Sequence, residues 1–209
     1  MVIVTRAVRV VVAVILADFL SGLAHWLEDS YFTPSTPLLG QTIAKNVLHH
    51  LQPAYFVSNA WYVTIRSSLV CAALVGAPLL AWGRLSWWVG LALVMAVFSN
   101  QVHKWAHMPA ACVPGSVQLL QRWGILQTVT HHAAHHMGRK DRRYCVVTNV
   151  LNPVLDASRF WRMSEAAIHV VSGCWPRPDV SQQPHNYRMH LPAGGRLGEV
   201  FDLPLARRR

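Results

Sequence analysis

Residues Val8–Leu27 read VRVVVAVILADFLSGLAHWL, and this stretch decides the fold. A helix needs about 20 predominantly apolar residues to cross ~30 Å of hydrocarbon, and the stretch is long enough. It contains Asp18 and His25 and runs into a patterned segment instead of a small-residue cleavage site, so a retained helix is expected and not a cleavable signal. Two further apolar stretches, from about Ala60 to Trp82 and from about Leu85 to Val102, are joined by the short Gly83-Arg84 turn and read as a transmembrane hairpin. The expected fold is all-α: an integral membrane helical protein with about three transmembrane helices.

Composition agrees. The 209 residues fit one domain. They are 53% hydrophobic and 13% charged, about half the charge of an ordinary soluble domain, which points toward lipid. Nine Trp add weight, because indoles are enriched where hydrocarbon meets water. The formal charge of +10 raises nucleic acid as a partner. The basic residues lie outside the apolar runs, however, and are not set with aromatics on a soluble module, so no nucleic acid is expected and anionic headgroups account for them. Cys71, Cys112, Cys145 and Cys174 form no C-x-x-C pair and indicate neither a disulfide framework nor a zinc knuckle; they read as small apolar residues.

Alternation of three spans puts the C-terminal end of the first, the start of the second and the end of the third on one face. The histidines belong to that face, together with Lys45, Arg66, Lys104, Arg122, Arg139, Lys140, Arg142 and Arg143, against Arg6, Arg9 and Arg84 on the other. The positive-inside rule then predicts a multi-pass chain with the histidine cluster and the C-terminus in the cytoplasm. Between Pro114 and His136 the pattern Val117, Leu120, Ile125, Val129 predicts an amphipathic interfacial helix that delivers the last histidines, and 160–171 predicts another. Pro, Gly and Arg content makes 175–209 an irregular basic tail after a membrane domain of 1–174.

The chemistry is in the histidines. His103 and His107 are four residues apart and stack on one helix face, where two imidazoles can converge on one metal. The run His131-His132-Ala133-Ala134-His135-His136 offers that spacing twice, and His49-His50 precedes Gln52-Pro53. Asp18, Gly22, His25 and Asp29 follow at steps of four, three and four along the first helix. His25 alone has two readings, as an ion pair with Asp18 or Asp29 and as a metal ligand. For the paired boxes, crowding several imidazoles without a ligand carries a considerable desolvation cost. His169, His185 and His190 are isolated and read as ordinary surface residues. Imidazole suits Zn, Cu, Fe and Ni, and eight or nine histidines exceed the needs of one ion. Two non-haem irons, with Asp29 as a carboxylate ligand or its supporting partner, use the set best.

These residues resemble the Kua/CarF lipid desaturase family, which includes plasmanylethanolamine desaturase and a plant plastid phosphatidylglycerol desaturase. The resemblance is carried in order by Asp18-x-x-x-Gly22-x-x-His25-Trp26-x-x-Asp29, Thr33-Pro34, His49-His50-x-x-Pro53, Asn100-x-x-His103-Lys104-Trp105-Ala106-His107, Leu120-Gln121 and His131-His132-x-x-His135-His136. It continues through Tyr144-Cys145-x-x-Thr148, Leu151-Asn152, Leu155-Asp156 and Phe160-Trp161-Arg162. It implies a membrane lipid desaturase domain over 1–174, an O2-dependent di-iron enzyme that removes two hydrogens from a chain of a membrane lipid. A separate electron donor, cytochrome b5-like or ferredoxin-like, would supply two electrons. The implied metal ligands are His25, Asp29, His49, His50, His103, His107, His131, His132, His135 and His136, with His103, His107, His132, His135 and His136 also carrying catalysis. Asn100 and Asn152 are implied to orient imidazoles. The chain departs from the family at Asn149-Val150, where Gly-Trp is expected, and after Pro53, where it does not look like the plasmalogen-forming members. A hydroxylase on the same chemistry and a non-enzymatic membrane metal-binding protein are the rival readings.

Overall fold

A computed structural model describes residues 2–137 and 141–178, and helix is the only regular structure among them. The predicted positions Arg139, Lys140, His185, His190 and the tail beyond Pro178 lie outside the described residues. Helix α1 spans Val2–Ser30, longer at both ends than the apolar stretch that announced it. It is free of proline, and Gly22 is its one helix-weakening residue. The predicted hairpin is α3, Trp61–Ala81, and α4, Trp87–Trp105, with Gly83 at φ 63° making the reversal between them. Pro78 lies three residues before the end of α3 and contributes no N–H to its last turns.

Ile3–Ser30 and Trp61–Ala81 are long and apolar enough to cross a membrane, so two helices meet that standard where about three were expected. Helix α4 carries Ser99, Asn100, Gln101, His103 and Lys104 in its second half, which lowers its apolar character. It packs between α1 and α3. The outward surfaces are those of a lipid-facing protein: Ile3, Val4 and Val8 on α1 and Leu69, Val70, Leu74 and Leu80 on α3 are exposed, with Ile3 at 82% and Leu74 at 71%.

The single amphipathic helix expected between Pro114 and His136 is two helices, α5 Gly115–Arg122 and α6 Val129–His136. Gly124 at φ 70° turns the chain between them, and Gln127, fully buried, holds the break: its N–H donates to Val147 O at 2.8 Å and its Nε2 to Cys145 O at 2.7 Å. Thr128 caps α6, its Oγ1 accepting from His131 N at 3.2 Å. Helix α2, Gly40–Leu51, and the closing pair α7, Leu151–Ala157, and α8, Phe160–Ser172, complete the array.

The second half of α1 is the axis of the protein part. The extended segment 144–148 lies along it, tied by Val147 N to Asp18 Oδ1 at 2.9 Å and Val146 N to Ser21 Oγ at 3.2 Å. Trp26, Tyr144, Cys145, Leu155 and Trp161 form the core between α1, this segment, α7 and α8. The close approach foreseen at Gly22 is real: a Cβ there would stand 2.5 Å from Cys145 Sγ. All four cysteines are free thiols, and only Cys145 is buried. Arg177, in the stretch expected as irregular tail, caps α1 by donating to the carbonyls of Ser30 at 2.7 Å, Phe32 at 2.8 Å and Glu28 at 2.9 Å.

Candidate metal centre

Four separate stretches bring nine donors together at the C-terminal end of α1, and they divide into two sets. His49, His103, His107, His132 and His136 form the first; His25, Asp29, His50 and His135 form the second. Within each set the donor atoms lie within 4.8 Å of one another. In the first, His103 Nε2 and His107 Nε2 are 3.2 Å apart, and His132 Nε2 and His136 Nε2 are 3.0 Å apart. Two nitrogens ~2.1 Å from a shared ion at right angles stand about 3 Å apart, so both pairs have the separation of neighbouring ligands. In the second set, Asp29 Oδ1 is 3.0 Å from His50 Nε2, and Asp29 Oδ2 is 3.4 Å from His135 Nε2 and 3.5 Å from His25 Nε2.

The sets adjoin. Ring centroids of His50 and His136 are 5.0 Å apart and those of His25 and His103 5.4 Å. The doublets explain how. Neighbouring residues on a helix point about 100° apart, so the doublets His49-His50 and His135-His136 each give one ring to each set. His49 goes to the first and His50 to the second; His136 goes to the first and His135 to the second.

Backbone groups fix ring orientation in the second set. His25 Nδ1 donates to Tyr144 O at 3.0 Å and His135 Nδ1 to Arg142 O at 2.7 Å. A carbonyl can only accept, so each Nδ1 carries the proton and each Nε2 keeps a lone pair for a metal. Asn46 Nδ2 donates to Asp29 Oδ1 at 2.8 Å. None of these three supports was foreseen. Carbonyls carry no side-chain signal, but Asn46 lies one turn before His50 on α2, a spacing that could have revealed it.

The donors fit a metal. Nε2 of His25, Nε2 of His135 and a ring nitrogen of His49 are buried with no hydrogen-bond partner among the described residues. Orphaned buried nitrogens are costly, and a cation supplies their partner. Burial pushes the pKa of His49 and His132 well below the usual histidine range, and that of His107 down to about 4, with neighbouring imidazoles adding to the effect. These rings are therefore neutral at physiological pH, the form that ligates.

Four predicted residues stand elsewhere. His131 is in neither set; its Nε2 accepts from Asn152 Nδ2 at 3.2 Å. Asn152 thus touches an imidazole, though not one of the gathered nine, and it also clamps Cys145 through both backbone groups at 2.9 and 2.7 Å. Asn100 donates to Ser67 Oγ at 3.4 Å and Ser68 Oγ at 2.9 Å, tying α4 to α3. Asp18 accepts from Thr148 Oγ1 at 2.5 Å and from Thr148 N at 3.1 Å and has no part in the donor sets. His169 stacks on Trp175 with centroids 4.0 Å apart.

Sequence comparison shows the family. The chain is 30% identical over 177 residues to a probable fatty acid desaturase of Acanthamoeba polyphaga mimivirus, covering 84% of this chain and 88% of that protein. It is 30% identical over 186 residues to plasmanylethanolamine desaturase 1 of Mus musculus, covering 81% and 67%. A third relative is the chloroplastic fatty acid desaturase 4 of Arabidopsis thaliana, 31% identical over 166 residues, covering 78% of this chain and 51% of that protein. No solved structure matches. The model of the lipid desaturase domain matches residues 14–179, a span that contains every donor of both sets, and the chain belongs to the Kua/CarF lipid desaturase family.

Proposed function

We propose that this chain is a membrane desaturase that holds two non-haem iron ions in the adjoining donor sets. It converts one CH2–CH2 unit of a lipid alkyl or acyl chain to CH=CH, taking up O2, two electrons and two protons and releasing two waters. The observation that carries the reading is the division of nine clustered donors, six of them buried, into two adjacent groups. One ion cannot use nine donors, and two ions of ordinary coordination number can. Zinc fills the geometry but has no redox chemistry, whereas iron with imidazole and carboxylate ligands activates O2. The reactions printed in the names of the relatives are desaturations of lipid or fatty acyl chains, in line with this reading.

The residues divide the work. His49, His103, His107, His132 and His136 would hold one ion; His25, His50, His135 and Asp29 would hold the other. Carbonyls of Tyr144 and Arg142 hold two of the rings in the ligating tautomer. Phe56 covers the first set, its ring 4.8 Å from that of His49, 5.2 Å from His103 and 5.7 Å from His107. An apolar ring there keeps water off the donors and leaves an apolar wall for a methylene chain. Lys104 Nζ donates to Asn59 O and fastens the segment that carries Phe56 to α4.

In this reading α4 is the third span, and the donor sets and C-terminus face the cytoplasm, supported by the basic residues on that side of the sequence. The electrons come from a separate carrier. The test is lipid mass spectrometry of cells producing the unaltered chain, His107→Ala or His135→Ala, resolving vinyl ethers from ordinary alkenes. The unaltered chain yields a new unsaturated lipid, and both variants lose product and iron together. Full product from either variant contradicts the assignment, and an alcohol in place of the alkene establishes a hydroxylase.

A further inference from the structure

We propose that the cationic corner formed by the exposed Arg142 and Arg159 with the half-buried Arg143 is the port at which an acidic one-electron carrier protein docks, delivering electrons through the Arg142 carbonyl and His135. This rests on the reading above, which requires two electrons from outside for each double bond. A one-electron carrier must dock twice per turnover.

The geometry is that of a short bridge from solvent to the second donor set. Arg142 is exposed, while His135, hydrogen-bonded to its carbonyl at 2.7 Å, is fully buried. Two residues on, the carbonyl of Tyr144 accepts from His25 of the same set. One stretch of backbone thus touches two ligating rings while presenting cations outward. The backbone N–H groups of Arg143 and Arg159 both meet Asp156. Arg143 N donates to Asp156 Oδ1 at 3.3 Å, and Arg159 N donates to Asp156 O at 3.1 Å. The Arg143 guanidinium reaches His131 O at 3.4 Å. The neighbouring acids Asp141 and Glu165 are bound by Arg162. Arg142 and Arg143 both bear electrostatically on Asp156, and Arg142, Arg143, Arg159 and Arg162 together outnumber Asp141, Asp156 and Glu165 by one charge, which leaves the corner positive.

A partner protein suits this corner better than a headgroup layer does. The lipid-facing apolar surface lies on the first half of α1 and on α3. Segment 144–148 runs from His25 back toward Asp18, so Arg142 lies beyond it at the opposite, C-terminal end of α1. Complementary charge on a docking face raises encounter rates and makes them salt-sensitive.

The test uses the full metal-loaded chain in nanodiscs of neutral phosphatidylcholine, with a plant-type ferredoxin as the acidic one-electron probe. Binding is measured at low salt and near 0.3 M salt, and product is measured with ferredoxin and with dithionite as reductant. The unaltered chain binds ferredoxin in a salt-sensitive way. The double variant Arg142→Glu, Arg159→Glu weakens binding about tenfold or more and lowers the ratio of ferredoxin-driven to dithionite-driven product by a similar factor. Arg142→Lys, Arg159→Lys restores both. Salt-insensitive or absent binding, an unchanged ratio, or preference of the corner for anionic vesicles over ferredoxin overturns the port. Absence of product with dithionite from the unaltered chain defeats the desaturase reading instead, and the binding comparison still decides the docking surface.

Discussion

Asp18 on α1 accepts a 2.5 Å hydrogen bond from the hydroxyl of Thr148, 130 positions away in sequence. With the backbone N–H groups of Val147 and Thr148 donating to its other oxygen, this fully buried carboxyl fastens the 144–148 segment to the helix that carries His25 and Asp29. The acid at the head of the first motif therefore serves the donor sets from a distance, by placing the Tyr144 and Arg142 carbonyls. Asp18→Ala strands three donors in the interior and is expected to cost about 3 kcal/mol or more. The check is thermal unfolding of the metal-free chain together with metal content. A drop in stability with weakened iron retention is expected, and unchanged melting opposes this role.

Gly22 meets the same segment one turn further on. A Cβ there would stand 2.5 Å from Cys145 Sγ and 3.0 Å from Cys145 N, and Cys145 cannot retreat because Asn152 and Gln127 hold its backbone. Gly22→Ala should cost about 1–3 kcal/mol by overpacking. Gly22→Ala with Cys145→Ala should recover part of it, read by the same melting assay. No recovery would mean that the backbone contact dominates the sulfur contact.

Phe56 is expected to affect chemistry more than loading. Phe56→Ala removes a ring from three imidazoles but no donor, so iron content should hold while O2 consumed per double bond rises as water reaches the site. Unchanged coupling of O2 to product would show that Phe56 is not the cover.

Acid should weaken the metal-free chain. The folded pKa of His107 is about 4 and those of His49 and His132 are also depressed, against about 6.5 in an unfolded chain. Between those values the unfolded state binds more protons, so stability rises with pH there and is lost as pH falls below about 6.5. Melting temperatures of the metal-free chain from pH 7.5 to 5 should decline, with the steepest loss below pH 6.5; a flat profile would place these rings in water.

Much of the centre was legible because i,i+4 spacing on a helix is itself a geometry. The pairs His103/His107 and His132/His136 each fall in one set. What spacing could not say is which turn of a symmetric run faces inward. In His131-His132-Ala133-Ala134-His135-His136 the pairs 131/135 and 132/136 look alike, and the rotation of α6, fixed by the Thr128 cap and the buried Gln127, sends His131 to Asn152. The surplus of histidines pointed to two ions, and the doublets His49-His50 and His135-His136 each feed both sites. The helical hairpin was evident from its apolar length, but the break at Gly124 was hidden by an apolar periodicity that continued across it. The carbonyls of Arg142 and Tyr144 could not be read at all, since every residue has one.

Metal content per folded chain tests the central claim most directly. Purified from iron-supplied cells, the chain should carry two iron ions, and His49→Ala in the first set and Asp29→Ala in the second should each fall well below two. A single ion per chain or full loading in both variants would contradict a two-iron centre.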